Sequence, residues 1–224
     1  MRQLYPWYRR GVANANDQVS AESPKRPSAR ERLLDLAEAA VLQKGFAATS
    51  IEELIAGVGI TKSGFFYHFK DKGDLAVALM QRYVERDEQI LDELFRRGDE
   101  LNEDPLHGFL VGLKLFADLM ANLPEAHPGC LAASFCYQSQ LINREVRALN
   151  AEGVLAWRNR FRERLEKISE RYPPRTPVDI EALADMAATL VEGGIILTKI
   201  LDERRILPQQ VLLYRDFVRL LFAN

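Results

Sequence analysis

The residues best suited to chemistry lie between Thr61 and Lys72. In Thr61-Lys62-Ser63-Gly64-Phe65-Phe66-Tyr67-His68-Phe69, hydroxyls, a lysine, a histidine and aromatic rings crowd onto a piece of chain too short to bury them all. The chemistry of such a set is recognition rather than bond breaking. Hydroxyl, imidazole and ammonium groups can reach base edges in a major groove while others grip the phosphates on either side. Thr61, Lys62, Ser63, Tyr67, His68 and Lys72 are the candidate DNA contacts, with Lys62 and Lys72 suited to phosphate or guanine. Thr49 and Ser50 can donate to a phosphate from the start of a helix, where free backbone amides also point outward. Phe66 can touch a thymine methyl, Phe65 and Phe69 are expected to pack inward, and Gly64 lets the helix lie close to the base edges.

These residues need two short helices, a tight turn and the start of a longer helix. Thr49 or Ser50 can cap the first helix, with Glu52 or Glu53 three residues on completing a capping box. Ile51, Leu54, Ile55 and Val58 recur at the three- and four-residue spacings of an apolar helical stripe. Gly59 stands where a left-handed residue ends that helix, Ile60 plugs the corner, and Thr61 caps the next helix. Upstream, Ser28 with Glu31 forms a capping box for a helix running to about Lys44, whose buried stripe is Leu33, Leu36, Ala37, Ala40 and Val41. Ala37, Ala39 and Ala40 allow close approach of the short helices. Asp71 is the expected N-cap of a long helix that carries Leu75, Ala78, Leu79, Tyr83, Ile90, Leu91, Leu94 and Phe95 and frays near Arg96-Arg97-Gly98.

The run from Gly59 to Lys72 resembles the signature of the tetracycline-repressor (TetR) family of transcriptional regulators. The motif resemblance extends from about Arg30 to Leu75, and beyond it only the helical layout and approximate length are similar. One departure stands out. Phe66 occupies a position where many relatives carry a tyrosine whose hydroxyl holds a phosphate, and Tyr67 is the neighbour able to supply that contact. The resemblance implies an all-α homodimer that binds a near-palindromic operator and releases it on binding a small ligand, and the aromatic and Met residues of the middle helices suggest a largely apolar one. It further implies a two-fold four-helix bundle built from helices at about 178–203 and 208–222, and a long helical strut linking the reading head to the rest.

Composition is consistent with this. Hydrophobic residues make up 47% of the 224, ample for a core, while a formal charge of −2 argues against a chain that coats nucleic acid indiscriminately. Two cysteines make no disulfide framework, and no apolar run reaches the length of a membrane span, so a cytoplasmic, membrane-free setting is expected. Three segments follow: a basic extension over 1–27, a helix-turn-helix domain over 28–75, and a ligand-binding and dimerisation domain over 76–224. The extension is expected to be disordered; it is either a solvated tail, or a leader from an upstream start codon, or a basic arm that follows the phosphate backbone.

From Asn102 onward every segment reads as helix, for about nine in total and no strand. Asp104-Pro105 opens one carrying Phe109, Leu113, Phe116 and Met120. The helix from Asn143 to about Tyr172 has Val146, Leu149, Val154, Trp157, Phe161, Leu165 and Ile168 as its buried line. In the last two helices the apolar residues cover more than one face, which requires a partner inside the subunit and another outside. Small residues such as Ala187, Gly193 and Gly194 permit close packing there.

Phe109, Leu113, Phe116, Met120, Phe135, Tyr137, Trp157 and Phe161 are the candidate ligand contacts, with Gln138 and Asn143 as polar anchors; ordinary core packing is the alternative for each. Cys130 follows Pro-Gly at an expected helix start, where the dipole can lower a thiol pKa, so Cys130 and Cys136 form a candidate redox pair. No nucleophile motif, phosphate loop or metal-ligand spacing of His68, His107 and His127 is present, so neither catalysis, metal nor cofactor is expected. The competing classes are a helical dimerisation protein without DNA binding and a cysteine-based sensor on the same fold.

Overall fold

The computed structural model describes residues 27–138, 140 and 142–223. The expectation for the N-terminal extension lies almost wholly outside them. Among the described residues there are nine helices and no strand: α1 (Ala29–Lys44), α2 (Ile51–Val58), α3 (Lys62–His68), α4 (Lys72–Leu101), α5 (Pro105–Ala121), α6 (Leu131–Cys136), α7 (Arg144–Arg171), α8 (Ile180–Leu201) and α9 (Ile206–Phe222). None of these helices is long and apolar enough to cross a membrane.

Local chemistry sets the boundaries. Ser28 Oγ accepts from the Glu31 amide at 3.2 Å while Glu31 takes the Ser28 amide at 2.7 Å, a complete capping box at α1. A cap of this kind contributes about 1 kcal/mol. Gly59 ends α2 with φ 74°, the left-handed conformation that glycine adopts without a Cβ penalty. Asp71 accepts from the Asp74 amide at 2.8 Å and Asp74 accepts from the Lys70 amide at 3.0 Å, so α4 begins as its sequence predicts. Asp104 caps α5 with Pro105 in its first turn.

The helices distribute between two compact units. Residues 27–85 and 128–152 form the first, and residues 86–127 and 153–223 the second, so α4 and α7 each contribute to both. In this division α6 and the start of α7 group with α1–α3. In the first unit, Leu33, Ala37, Leu54, Phe65, Phe69 and Leu79 close a core with Leu131 and Phe135 of α6 and Val146 of α7. Arg82 of α4 ties α1 down through Asp35 and Glu38, both at 2.7 Å.

Aromatic rings fill the second unit. Phe95 stacks on Phe109 (5.4 Å, 14°), Phe161 meets both edge-on, and Trp157 stacks on Phe161 (5.7 Å, 12°). Tyr214 is buried and donates its hydroxyl to the Leu183 carbonyl at 3.0 Å, locking α9 to α8. At Gly98 an added Cβ would stand 2.4 Å from the Gly108 carbonyl oxygen, so α4 and α5 touch backbone to backbone. That contact explains why α4 runs on to Leu101 instead of fraying at Gly98: the glycine serves a crossing, not a terminus. Val154, placed by sequence in the buried line of α7, is 51% exposed, and Ala39 is exposed on α1.

Candidate DNA interface

The helix-turn-helix is α2, the Gly59-Ile60 corner and α3. Ser50 caps α2, accepting from the Glu53 amide at 3.1 Å, and Thr61 caps α3, accepting from the Gly64 amide at 3.1 Å. Phe65 and Phe69 are buried and anchor α3 from beneath. Fixing two of its nine-residue surroundings inward leaves Thr61, Lys62, Ser63, Phe66 and Tyr67 exposed, with His68 half-buried. Tyr67 is 85% exposed and Phe66 46%. The Thr61 and Ser63 hydroxyls lie 2.9 Å apart, forming a compact donor–acceptor pair at the start of the helix. Lys62 stands 3.5 Å from Glu52, a solvent-exposed pair of little energetic weight that a phosphate can replace.

Two residues of the sequence-based set are turned inward. Thr49 is buried and donates its hydroxyl to the Gly45 carbonyl at 3.0 Å, so its side chain fastens the turn before α2. Lys72 donates to the carbonyls of Phe46 at 2.5 Å and Ala47 at 3.3 Å, with its ammonium 4.3 Å from the centre of the Phe46 ring. Burial pulls the Lys72 pKa below its ordinary value. Its charge serves a carbonyl pair and a ring face inside the head. Lys70, outside the sequence-based set, is exposed just beyond α3, after the extended Phe69.

The profile of bacterial regulatory proteins of the tetR family matches residues 33–79, which contain α2, α3 and the start of α4. Residues 33–79 are thus a segment of the tetR-family type. The transcriptional repressor NemR of Escherichia coli is 33% identical over 70 residues, which are 31% of this chain and 35% of NemR, so the matched stretch spans about a third of that relative's length. The transcriptional regulator AcuR of Cereibacter sphaeroides is 21% identical over 181 residues, 80% of each chain. Among solved structures, a TetR-family transcriptional regulator from Agrobacterium tumefaciens superposes with a TM-score of 0.71 at 18% identity, covering 87% of this chain and 98% of its own. The reduced form of E. coli NemR gives 0.67 at 20% identity, covering 87% and 98%. At these identities the structures show a shared fold.

Outside the TetR-type head, the candidate ligand residues do not form one wall. Leu113, Phe116 and Phe161 line a gap of about 10 Å³ in the second unit, together with Leu190, Val191 and Val211. That is room for roughly one water. Phe109 and Met120 are buried, and Trp157 packs edge-on to Phe116 and stacks on Phe161. Trp157 also donates its indole N–H to Asp87 at 2.9 Å. Loss of hydration pushes the Asp87 carboxyl up to about 6, against the lowering pull of that N–H and of Arg86 and Arg160.

Phe135 lies elsewhere, buried against Phe46 in the first unit, and Tyr137 is 83% exposed. Gln138 and Asn143 are also committed: Gln138 accepts from the Ala47 amide at 2.9 Å, and Asn143 caps α7 by accepting from the Val146 amide at 2.9 Å. Cys130 is the half-buried N-cap of α6, its sulfur accepting from Tyr83 at 3.5 Å and the Ala133 amide at 3.4 Å, while Cys136 is exposed. Among the described residues no group of three or more His, Cys, Asp or Glu side chains is placed to hold a metal.

The last two helices each show two faces. Leu183, Ala184, Ala187 and Ile195 of α8, and Val211, Tyr214 and Val218 of α9, are buried. Ile196, Leu197 and Ile200 of α8, and Leu213, Phe217 and Leu220 of α9, are exposed at three- and four-residue spacings. Of the three small residues singled out from sequence, Ala187 faces the core and Gly194 packs against Leu207, whereas Gly193 has open space where its Cβ would be.

Proposed function

We propose that this protein is a homodimeric DNA-binding transcriptional regulator, a repressor that releases a near-palindromic operator when a small, largely apolar ligand binds. The observation that carries the reading is the outward face of α3. Two hydroxyls, Lys62, Phe66 and Tyr67 project from a helix that two buried phenylalanines and a threonine cap hold rigidly. An exposed Tyr67 hydroxyl can take the phosphate contact that Phe66 lacks the oxygen to make. Ser50, exposed at the start of α2, retains its hydroxyl proton for a second phosphate while it accepts from the Glu53 amide.

The exposed apolar faces of α8 and α9 suit a second copy of the chain, and a two-fold pair would set the two heads at half-sites about one DNA turn apart. Ligand entry beside Phe116 and Phe161 requires one of these rings to move, because the gap they line holds no more than a water. Movement of that cluster is therefore the natural switch.

A gel-shift assay with the DNA upstream of the protein's own gene tests the reading. Binding by the wild type, lost in a Lys62→Ala, Tyr67→Phe double variant that keeps its helical circular dichroism, is the expected result. Equal binding by the variant, or no binding at low salt, would reject this face as the DNA-binding surface.

A further inference from the structure

Phe66 is an apolar ring in the middle of a polar surface. It lies one turn beyond Lys62 and Ser63, beside Tyr67, and Lys70 follows the end of the helix. Its ring is 46% exposed, yet it is held edge-on by the fully buried Phe65, with centroids 5.4 Å apart and planes at 88°. That contact restricts the ring on one side and reduces the side-chain entropy to be lost on contact.

Building on the DNA-binding reading, we propose that Phe66 is a specificity-determining residue that packs on the C5-methyl of a thymine in each operator half-site. The ring cannot hydrogen-bond to a phosphate, and the lysines around it favour a polyanion as the occupant of this face. Within a major groove, the thymine methyl is the apolar feature that base edges offer. Gly64 agrees with a close approach. A Cβ there would meet Ile60 and Thr61 only at 3.5 Å, an ordinary contact, so the protein's own packing does not demand glycine in this short helix. A helical glycine costs about 1 kcal/mol relative to alanine.

The test uses the full-length protein and a duplex recovered by selection from random oligonucleotides. Each thymine is replaced in turn by deoxyuridine, which removes the methyl and leaves every hydrogen-bonding group in place. At one thymine per half-site the wild type is expected to lose about fourfold in affinity, and about fifteenfold when both half-sites are changed. Phe66→Ala should bind the parent duplex more weakly and show less than about a 1.5-fold response at that same thymine. Its melting temperature, matched to wild type, confirms an intact head.

If no duplex is selected, the DNA-binding reading fails and this one with it. If a duplex is selected but deoxyuridine is neutral at every position, or its effect is the same in Phe66→Ala, the thymine assignment alone is overturned.

Discussion

Replacing Asp87 with asparagine gives a prediction whose sign and size both follow from the structure. The Asp87 carboxyl accepts the Trp157 indole N–H at 2.9 Å, and loss of hydration raises its pKa from an ordinary 3.8 to about 6. The interval between those values corresponds to about 3 kcal/mol. The residue is half-buried, and residual solvation reduces this to about 1–3 kcal/mol. A carboxyl whose folded pKa is raised favours folding in its neutral form. Its contribution is fully present below pH 4, declines as pH rises through 6, and is absent at pH 7, where the ionised group sits in a poorly hydrated place.

Asparagine keeps the acceptor for Trp157 and never ionises. The stability of Asp87→Asn minus that of the wild type should therefore climb with pH, by about 1–3 kcal/mol between pH 4.5 and pH 8. Any fixed cost of fitting the amide shifts the whole curve without changing its rise. Urea denaturation followed by far-ultraviolet circular dichroism at five pH values measures the difference directly, and subtraction cancels the other carboxylates. A difference that is flat, or that falls as pH rises, would refute the argument.

Lys72→Met should lower the stability of the head by about 1–3 kcal/mol, because the Phe46 and Ala47 carbonyls lose their cation. If Lys72 acts only within the fold, the salt dependence of operator binding is unchanged; a slope reduced by about one phosphate contact would place its amine on DNA after all. Gly98→Ala should destabilise by about 1–3 kcal/mol despite the better helix propensity of alanine, since its Cβ would stand 2.4 Å from a backbone oxygen that cannot step aside. A chemical-denaturation midpoint at or above wild type would contradict the backbone crossing. Ile200→Glu with Leu220→Glu, at positions 72% and 64% exposed, should leave the protomer folded and halve the sedimenting mass. An unaltered dimer would show that the exposed faces of α8 and α9 are not its interface.

The elements of the head were legible in the sequence because their signals are local. Ser28 and Glu31, Gly59, Thr61, and Asp71 with Asp74 each act on backbone within four residues, and each does what its chemistry dictates. The direction of Lys72 was not legible. A lysine after a recognition motif looks like a phosphate ligand, whereas the structure sets its ammonium against the carbonyl of Phe46, in a turn 26 residues earlier. Thr49 and Gln138 were hidden for the same reason: their partners, Gly45 and Ala47, depend on how the turn between α1 and α2 folds back. The aromatic residues of α5 and α7 posed a different problem. Composition announces rings, but only coordinates show Phe95, Phe109 and Phe161 filling one another's space, with about 10 Å³ remaining beside Phe116.

The head's charges lead to a consequence for selectivity. Lys72 is turned inward, Lys44 is paired with Glu53 at 2.5 Å, and Lys62 has Glu52 within 3.5 Å. A phosphate can displace the exposed carboxylates, since pairs of this kind are worth about 0–1 kcal/mol, but each displacement returns part of the electrostatic gain. Counterion release, which drives indiscriminate binding, is therefore weaker at these three lysines than their number suggests. The α3 face compensates with groups whose contribution does not vary with salt: the Thr61 and Ser63 hydroxyls, the Tyr67 phenol and the Phe66 ring. On the proposed DNA-binding function, discrimination between DNA sequences should then hold up as ionic strength rises while non-specific affinity falls away, in keeping with a chain whose net charge is −2.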